Sequence, residues 1–255
     1  MKCIRDIVYC ETIGADGMGD LFLPDDLNAD TPLALVIHGG GWSSMERKAL
    51  EGVALWLVDN GFAAFNADYR LTGTASWPAC GNDCLEAARF LLHGDIPALN
   101  GVRRDRLGVI GGSSGGHLAL WTGLSLKETS WIVSISGICD PVPDLLLHAG
   151  RYSGLLGGDI TLDGLNSLAP QNLLTPQAPP MLCTHMIEDD VVPLASRDSF
   201  VKTAASQGIH VDTYTYPMRQ GLTGHGIWIE GSSPHRLIPE LENRIMTFFN
   251  AVGVR

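Results

Sequence analysis

A short stretch of glycine and serine at residues 111–117 carries the residue types of a serine nucleophile. It reads Gly-Gly-Ser-Ser-Gly-Gly-His and directly follows the apolar run Leu107–Ile110. A sharp turn from a strand into a helix exposes a serine hydroxyl above the sheet. Such a turn needs glycines two residues on either side of the serine, because a Cβ there would strike the strand or the helix. The stretch therefore indicates covalent catalysis by an activated serine.

Two serines fit this pattern. One Gly-x-Ser-x-Gly frame centres on Ser113 and the other on Ser114. Because Ser113 comes sooner after the apolar run, placing it at the turn leaves Ser114 to start the helix and offer its backbone N–H to an oxyanion. We therefore assign Ser113 as the nucleophile. The alternative is an ordinary flexible Gly/Ser loop, in which neither serine would act.

A second glycine motif, His-Gly-Gly-Gly-Trp at residues 38–42, follows the apolar run Leu33–Ile37. Consecutive glycines let backbone N–H groups approach a developing alkoxide with no side chain in the way, and one such donor is worth roughly 3–4 kcal/mol. We predict that Gly40, Gly41 and Ser114 form an oxyanion hole. A phosphate-binding turn is the alternative, but the motif has neither a Walker lysine nor Gly-x-Gly-x-x-Gly spacing.

Together these motifs resemble the α/β-hydrolase superfamily, and within it the HGGGW-bearing esterases akin to the hormone-sensitive-lipase, feruloyl-esterase and acetyl-xylan-esterase groups. Similar motifs extend over residues 33–228 and include Asp-Tyr-Arg-Leu at 68–71, Trp-Pro-Ala at 77–79 and Ala-Pro-Pro at 178–180. In the family's usual turn, Gly-x-Ser-Ala-Gly-Gly, the first serine is the nucleophile, which also selects Ser113. Ser114 stands where the family usually has alanine.

The resemblance implies a catalytic triad in the order serine, acid, histidine. The apolar run Met181–Met186 leads into an acidic loop, and residues 185–193 read His-Met-Ile-Glu-Asp-Asp-Val-Val-Pro. This sequence is similar to the family's His-Gly-x-x-Asp-x-x-Val-Pro. This similarity places the acid at Asp189. Glu188 and Asp190 remain alternatives, because acidic clusters are usually solvated loop charges.

His225 has the setting of the catalytic base. It lies in the glycine-rich loop of residues 221–226, after an alternating strand, and resembles the family's Gly-His-Gly-Phe. Two other histidines follow the acidic cluster: His210 begins that strand and His235 lies at an expected helix entrance, so both fit structural or surface positions better. We expect His38 to brace the oxyanion loop and His117 to pack beneath the serine turn.

The alternation of apolar runs and helical periodicity predicts an α/β fold, with a doubly wound, mostly parallel sheet in a single domain over residues 1–255. Residues 137–177 are rich in Pro, Gly, Leu and Asp, so we expect an irregular segment that is the one place for a small cap or lid. The expected strands are Ile4–Thr12, Leu21–Leu23, Leu33–Ile37, Phe62–Asn66, Leu107–Ile110, Trp131–Ser136, Met181–Met186 and Val211–Tyr216, and the expected helices are Glu46–Asn60, Pro78–His93, Leu118–Leu126, Ala195–Gln207 and Pro234–Ala251.

Composition limits the partners of this chain. With 255 residues and a net charge of −11, it lacks the basic face that nucleic acid requires. Charges interrupt Met1–Ile7 before any signal-like apolar stretch, and no run of about 18 apolar residues occurs, so we expect a cytoplasmic protein without a membrane span. A small-molecule ester is the expected partner, and a homodimer is compatible with the sequence.

The six cysteines do not indicate a metal site or a disulfide framework. Cys80 and Cys84 lack further ligands at zinc spacing, so no metal is expected, and the triad chemistry needs no cofactor. The other four lie in apolar, strand-like segments where reduced buried thiols are common: Cys3, Cys10, Cys139 and Cys183.

The function implied by the resemblance is hydrolysis of esters of short or aromatic acyl groups through an acyl-serine. Trp42, Trp77 and Trp228 are expected to line the acyl or alcohol pocket, although core packing would explain each of them as well. Amide hydrolysis, as in an arylformamidase, uses the same triad and is the main alternative. A prolyl-oligopeptidase-like peptidase would need a propeller for which the chain has no room. Non-enzymatic binding proteins of this fold typically lose a triad residue, and none is missing here.

Overall fold

Eight strands form one sheet at the centre of the structure, a computed structural model that describes residues 1–217 and 224–254. The strands are β1 (Lys2–Val8), β2 (Met18–Leu23), β3 (Leu33–Ile37), β4 (Ala63–Ala67), β5 (Leu107–Gly112), β6 (Thr129–Ile135), β7 (Met181–Met186) and β8 (Asp212–Tyr216). Their spatial order is β1-β2-β4-β3-β5-β6-β7-β8. The pairs β1–β2 and β2–β4 are antiparallel, and the pairs from β4 to β8 are parallel. The predicted α/β class with a mostly parallel sheet is confirmed.

Helices cover both faces of this sheet. They are α1 (Glu51–Asp59), α2 (Ala79–His93), α3 (Ser114–Leu124), α4 (Pro141–Leu156), α5 (Leu162–Leu168), α6 (Leu194–Ser206) and α7 (Pro239–Ala251). One core contains Leu57 of α1 and Phe249 of α7, and the other contains side chains of α2, α3 and α6. Because helices cover both faces, the central strands read as continuous apolar runs, and every residue of Leu33–Ile37 is buried.

Several predicted boundaries were wrong. Strand β2 begins at Met18 instead of Leu21, and α3 begins at Ser114 instead of Leu118. Strand β1 ends at Val8 instead of Thr12, because Glu11–Gly17 forms 3-10 turns. The helix expected from Glu46 begins at Glu51, after the 3-10 turn Arg47–Leu50. The last helix begins at Pro239 instead of Pro234, because a short strand, β10 (Arg236–Leu237), pairs with β9 (Ile229–Glu230) just before it.

Residues 137–177, which we call the cap segment, are helical where the sequence analysis expected irregular structure. The side chain of Asp140 accepts a hydrogen bond from the backbone N–H of Val142 (2.9 Å), and Pro141 occupies the first turn of α4. Thr161 caps α5 in the same way. An aspartate directly before a proline is a sequence pattern typical of a helix start. The many prolines and glycines of the cap segment instead indicated irregular structure.

The cysteine prediction holds only in part. All six, each within the described residues, are free thiols, but Cys3 is exposed on the edge strand β1 and Cys10 is half-exposed. Cys80, Cys84, Cys139 and Cys183 are buried. Within residues 1–217 and 224–254, the structure has no cluster of three potential metal ligands. Nor does this described part of the chain contain a helix with the length and apolar character to cross a bilayer.

Candidate active site

Ser113 occupies the turn between β5 and α3, in a backbone conformation that few residues adopt. Its φ of 58° and ψ of −127° lie in a region that is costly for any residue with a Cβ. The turn is held on both sides: Ser113 N–H donates to the Ile135 carbonyl (2.9 Å), and the Ser113 carbonyl accepts from Gly116 N–H (2.9 Å). Of the two serine frames, the structure thus places Ser113 at the turn and Ser114 at the first position of α3.

The glycines around this turn are required by close backbone contacts. A Cβ on Gly111 would lie 2.2 Å from the carbonyl oxygen of Gly115. A Cβ on Gly115 would lie 2.2 Å from the carbonyl oxygen of Ile37 and 2.4 Å from that of His38. The end of β3 and the first turn of α3 therefore meet backbone to backbone, which fixes residues 38–42 (the oxyanion loop) beside Ser113.

His225 is bound through its ring to Asp189. Its Nδ1–H donates to Asp189 Oδ2 at 2.7 Å and lies 3.0 Å from Oδ1. The carboxylate of Asp189 has no exposed surface and also accepts the backbone N–H groups of Val191 (3.0 Å) and Val192 (2.8 Å). Asp190 makes a different contact, since its Oδ1 accepts the backbone N–H of His225 (3.0 Å). The acid aligned with the family motif thus contacts the imidazole, and its neighbour positions the histidine backbone.

Asp189 is held in its ionised form. Burial acts to raise the pKa of this carboxyl group, but the hydrogen bond from His225 and the two backbone N–H groups outweigh burial and hold the pKa below its ordinary value. Nε2 of His225 is buried and has no hydrogen-bond partner in the described part of the chain. Ser113 and His225 line the same cavity. Residues 221–223 of the predicted His225 loop lie outside the described residues.

Two glycines of the oxyanion loop have positive φ angles, Gly40 (107°) and Gly41 (60°), and these angles set the direction of the peptide groups. The Gly40 carbonyl accepts hydrogen bonds from the N–H groups of Ser43 and Ser44, both at 3.1 Å. Because C=O and N–H point in opposite directions across a trans peptide, the N–H of Gly41 points away from this turn. A Cβ on Gly40 would lie 2.1 Å from the Ser44 carbonyl oxygen, so the turn excludes any side chain.

Ser114 also contributes a side-chain contact that the sequence analysis missed. Its Oγ, which is fully buried, accepts the backbone N–H of Trp42 at 3.3 Å. As the first residue of α3, Ser114 has a backbone N–H with no acceptor inside the helix, as an oxyanion donor requires. The alanine usual in the resembled family could not make the side-chain contact.

Two aromatic contacts brace the oxyanion loop from below. Tyr69 stacks on the ring of His38 with ring centres 4.3 Å apart, and its hydroxyl donates to the His38 carbonyl (2.9 Å). Trp42 Nε1–H donates to His117 Nδ1 (3.3 Å), and His117 Nε2–H donates to the Leu168 carbonyl of the cap segment (2.8 Å). These bonds require a neutral His117, and complete burial lowers its pKa to about 4.

A cavity of about 770 Å³ joins these groups. Of the three tryptophans expected to line a pocket, Trp228 does so, packed over the serine turn. Trp42 and Trp77 lie in the core instead, which departs from the expectation. Trp77 is held there by a hydrogen bond from Nε1–H to Ser167 Oγ (2.9 Å). The cavity is lined by Gly39, Gly40, Gly41, Met45, Glu46, Lys48, Ala49, Leu50, Ser113, Arg151, Val191, His225, Gly226, Trp228, Ile229, Ser233 and His235.

Comparison with known proteins finds the same architecture among esterases. The model of the BD-FAE family matches residues 19–141, which include the oxyanion loop and the serine turn. The esterase B of Lactobacillus rhamnosis, in an inhibited form, superposes with a TM-score of 0.81 over 99% of this chain and 87% of its own, at 19% identity. The bifunctional GH43-CE protein of Bacteroides eggerthii gives 0.82 over 98% of this chain and 38% of its own, at 23% identity.

Curated relatives are much longer than this chain. The non-reducing polyketide synthase Preu3 of Preussia isomera is 36% identical over 124 residues, which is 44% of this chain and 5% of that protein. The likeness to solved structures establishes the fold as that of α/β-hydrolases with esterase members.

The neutral state of His117 makes stability depend on pH. Its pKa of about 4 in the folded chain lies below that of an unfolded histidine, about 6.5, so the unfolded chain binds more protons between these values. The free energy of unfolding should therefore fall as pH drops through this window. In His117→Gln, whose amide does not titrate in this range, the fall should be shallower, and urea unfolding from pH 7 to pH 4 measures it. Equal slopes for the two proteins would show that His117 does not titrate this way.

The two serines should differ sharply in activity on an activated ester. Ser113→Ala should lose at least about a thousandfold in kcat, because the hydroxyl itself would attack. Ser114→Ala keeps its backbone N–H and loses one neutral hydrogen bond to the oxyanion loop, so a loss of roughly 3- to 10-fold is expected. Steady-state kinetics on variants with matched thermal unfolding midpoints provides the measurement. Similar losses in both variants would contradict the assignment of Ser113.

Proposed function

We propose that this chain, which has the fold of α/β-hydrolases and matches the BD-FAE family model over residues 19–141, hydrolyses carboxylic esters through an acyl-enzyme on Ser113. The observation that carries this proposal is the pair of His225 and Asp189. Their 2.7 Å contact uses Nδ1, Nε2 has no hydrogen-bond partner among the described residues, and His225 lines the same cavity as Ser113. An imidazole held by a carboxylate, in the same cavity as a serine with a strained backbone, is the arrangement that general-base activation requires.

In the first step, Nε2 of His225 accepts the proton of the Ser113 hydroxyl as Oγ attacks the ester carbonyl carbon. Asp189 keeps Nδ1 protonated and stabilises the imidazolium that forms. The N–H groups of Gly40, Gly41 and Ser114 bind the oxyanion of the tetrahedral intermediate, where preorganised donors are most effective. The imidazolium then protonates the departing alcohol. Water repeats the sequence on the acyl-serine, which releases the acid and restores Ser113.

The cap segment supports a preference for small substrates. It is tied to the body of the protein by hydrogen bonds from Trp77 N–H to the Leu155 carbonyl (2.8 Å), from Trp121 Nε1–H to the Ser167 carbonyl (3.2 Å) and from His117 to Leu168. A segment held at these points does not resemble a lid that swings away to expose a long apolar cleft. We propose that short or aromatic acyl groups, packed against Trp228, are the substrates.

The acyl-length preference can be measured with p-nitrophenyl esters. Acetyl and butyryl esters should exceed dodecanoyl and longer esters in kcat/KM, because methylenes outside the cavity gain little of the roughly 0.8 kcal/mol that each would gain on burial. A feruloyl ester tests the space beside Trp228 separately. A steady rise of kcat/KM to long chains, with activation at an oil–water interface, would instead indicate a lipase.

The same triad could cleave an amide, so the reaction class requires its own test. Phenyl formate and formanilide present the same acyl and aryl groups on an ester and an amide. We expect the ester to react faster after subtraction of the uncatalysed rates and the reaction to depend on Ser113. Enzymatic hydrolysis of formanilide with a kcat/KM above that of phenyl formate would favour an arylformamidase-like enzyme.

A further inference from the structure

Arg151 projects from α4 of the cap segment into the wall of the cavity, beside the oxyanion loop. Its side chain is 20% exposed, and its Nε lies 4.0 Å from the point that a Cβ on Gly41 would occupy. Ser113 lines the same cavity. A permanently charged guanidinium therefore lies beside the loop that would hold the reacting carbonyl oxygen.

Arg151 is fixed from behind by a buried carboxylate. Its Nη1 donates to Asp144 Oδ1 (3.2 Å) and Oδ2 (3.1 Å). The side chain of Asp144 has no exposed surface and accepts a further hydrogen bond from the Tyr152 hydroxyl (2.9 Å). This arrangement restricts the rotamers of a side chain that would otherwise lose considerable entropy on binding a ligand.

The Asp144 contact uses only one nitrogen of the guanidinium. Across residues 1–217 and 224–254, the ion pairs of Arg151 are confined to Asp144 and to Nη1. The Nε and Nη2 groups form a separate edge with two parallel N–H donors, and Nε is the atom next to Gly41. Two parallel donors match the two oxygens of a carboxylate.

Among the charged side chains that line the cavity, Arg151 is the partly buried cation. The side chains of Lys48 and Glu46 are exposed (66% and 60%), and their charged atoms lie 3.5 Å apart. Water therefore screens both charges, and the two charges largely cancel each other. The remaining titratable groups of the wall are the imidazoles of His225 and His235. Because the chain has a net charge of −11, a partly buried cation in the cavity wall differs from the overall charge of the protein.

We propose that Arg151 is an anion-binding group of this cavity, and that the substrates are esters that carry a carboxylate near the scissile bond. The Nε and Nη2 edge binds that carboxylate while Nη1 stays on Asp144. This inference rests on the proposed ester hydrolysis and narrows its substrate class to acidic esters.

Two pairs of substrates that differ only in charge test the proposal. On the acyl side, mono-p-nitrophenyl adipate is compared with its neutral amide, p-nitrophenyl adipamate. On the alcohol side, 4-acetoxybenzoate is compared with 4-acetoxybenzamide. The quantity measured is the ratio of kcat/KM for the acid to that for the amide, in the wild type, Arg151→Gln and Arg151→Lys. Because the ratio is taken within one protein, it is insensitive to a loss of folded enzyme. Arg89→Gln, which removes the same charge from an exposed site on α2, is the control.

In the wild type we expect the ratio to exceed roughly 10 in at least one pair, since a charge-assisted contact is worth about that factor or more. Arg151→Gln should lower this ratio by roughly 10-fold, Arg151→Lys should lower it less, and Arg89→Gln should leave it unchanged.

Turnover of the neutral esters with no acid preference in either pair would overturn the proposal while leaving ester hydrolysis intact. A wild-type preference that persists in Arg151→Gln would also overturn it. Absence of Ser113-dependent turnover on all four compounds would refute ester hydrolysis itself, and the proposal with it.

Discussion

The site depends on one backbone contact, in which the first turn of α3 lies against the end of β3. Gly115 approaches the carbonyl oxygens of Ile37 and His38 so closely that a Cβ would lie within 2.4 Å of each. This contact places the oxyanion loop and Ser113 side by side at the carboxyl edge of the parallel strands, where open α/β sheets bind their ligands. The strain of the Ser113 backbone is supported by hydrogen bonds to the neighbouring strand and helix. Rigid elements thus determine the geometry, and loops supply the reactive groups.

Buried polar side chains connect this rigid arrangement to the cap segment. Ser114, Trp42 and His117 form a chain of hydrogen bonds from the start of α3, through the oxyanion loop, to the cap segment. Each member is buried, so breaking any link would leave an unsatisfied polar group in a medium of low dielectric constant. The cap segment in turn carries Arg151 to the cavity. The proposed nucleophile Ser113 and the proposed anion-binding group Arg151 are therefore linked through the same packed layer.

Sequence predicted the parts of this structure that local physics determines. The apolar runs identified β3 and β7 to the residue. The glycine spacing allowed two serines, and the shorter distance from the apolar run placed Ser113 at a strand-to-helix turn. Similarity to a family motif placed Asp189 and His225 in loops that the structure brings into contact. The placement of Trp42 in the core and of Arg151 in the cavity wall depends on how separate segments pack, which no local pattern records. The helices of the cap segment were missed because frequent glycine and proline masked their capping signals.

The proposed ester hydrolysis requires that Ser113 is a nucleophile activated by His225. The most direct measurement is covalent labelling with a fluorophosphonate, followed by tandem mass spectrometry of the peptide that contains both serines. A single adduct on Ser113 should form in the wild type, and its formation should be strongly slowed in His225→Ala. An adduct on Ser114, or labelling that proceeds equally fast without His225, would contradict the proposed activation of Ser113.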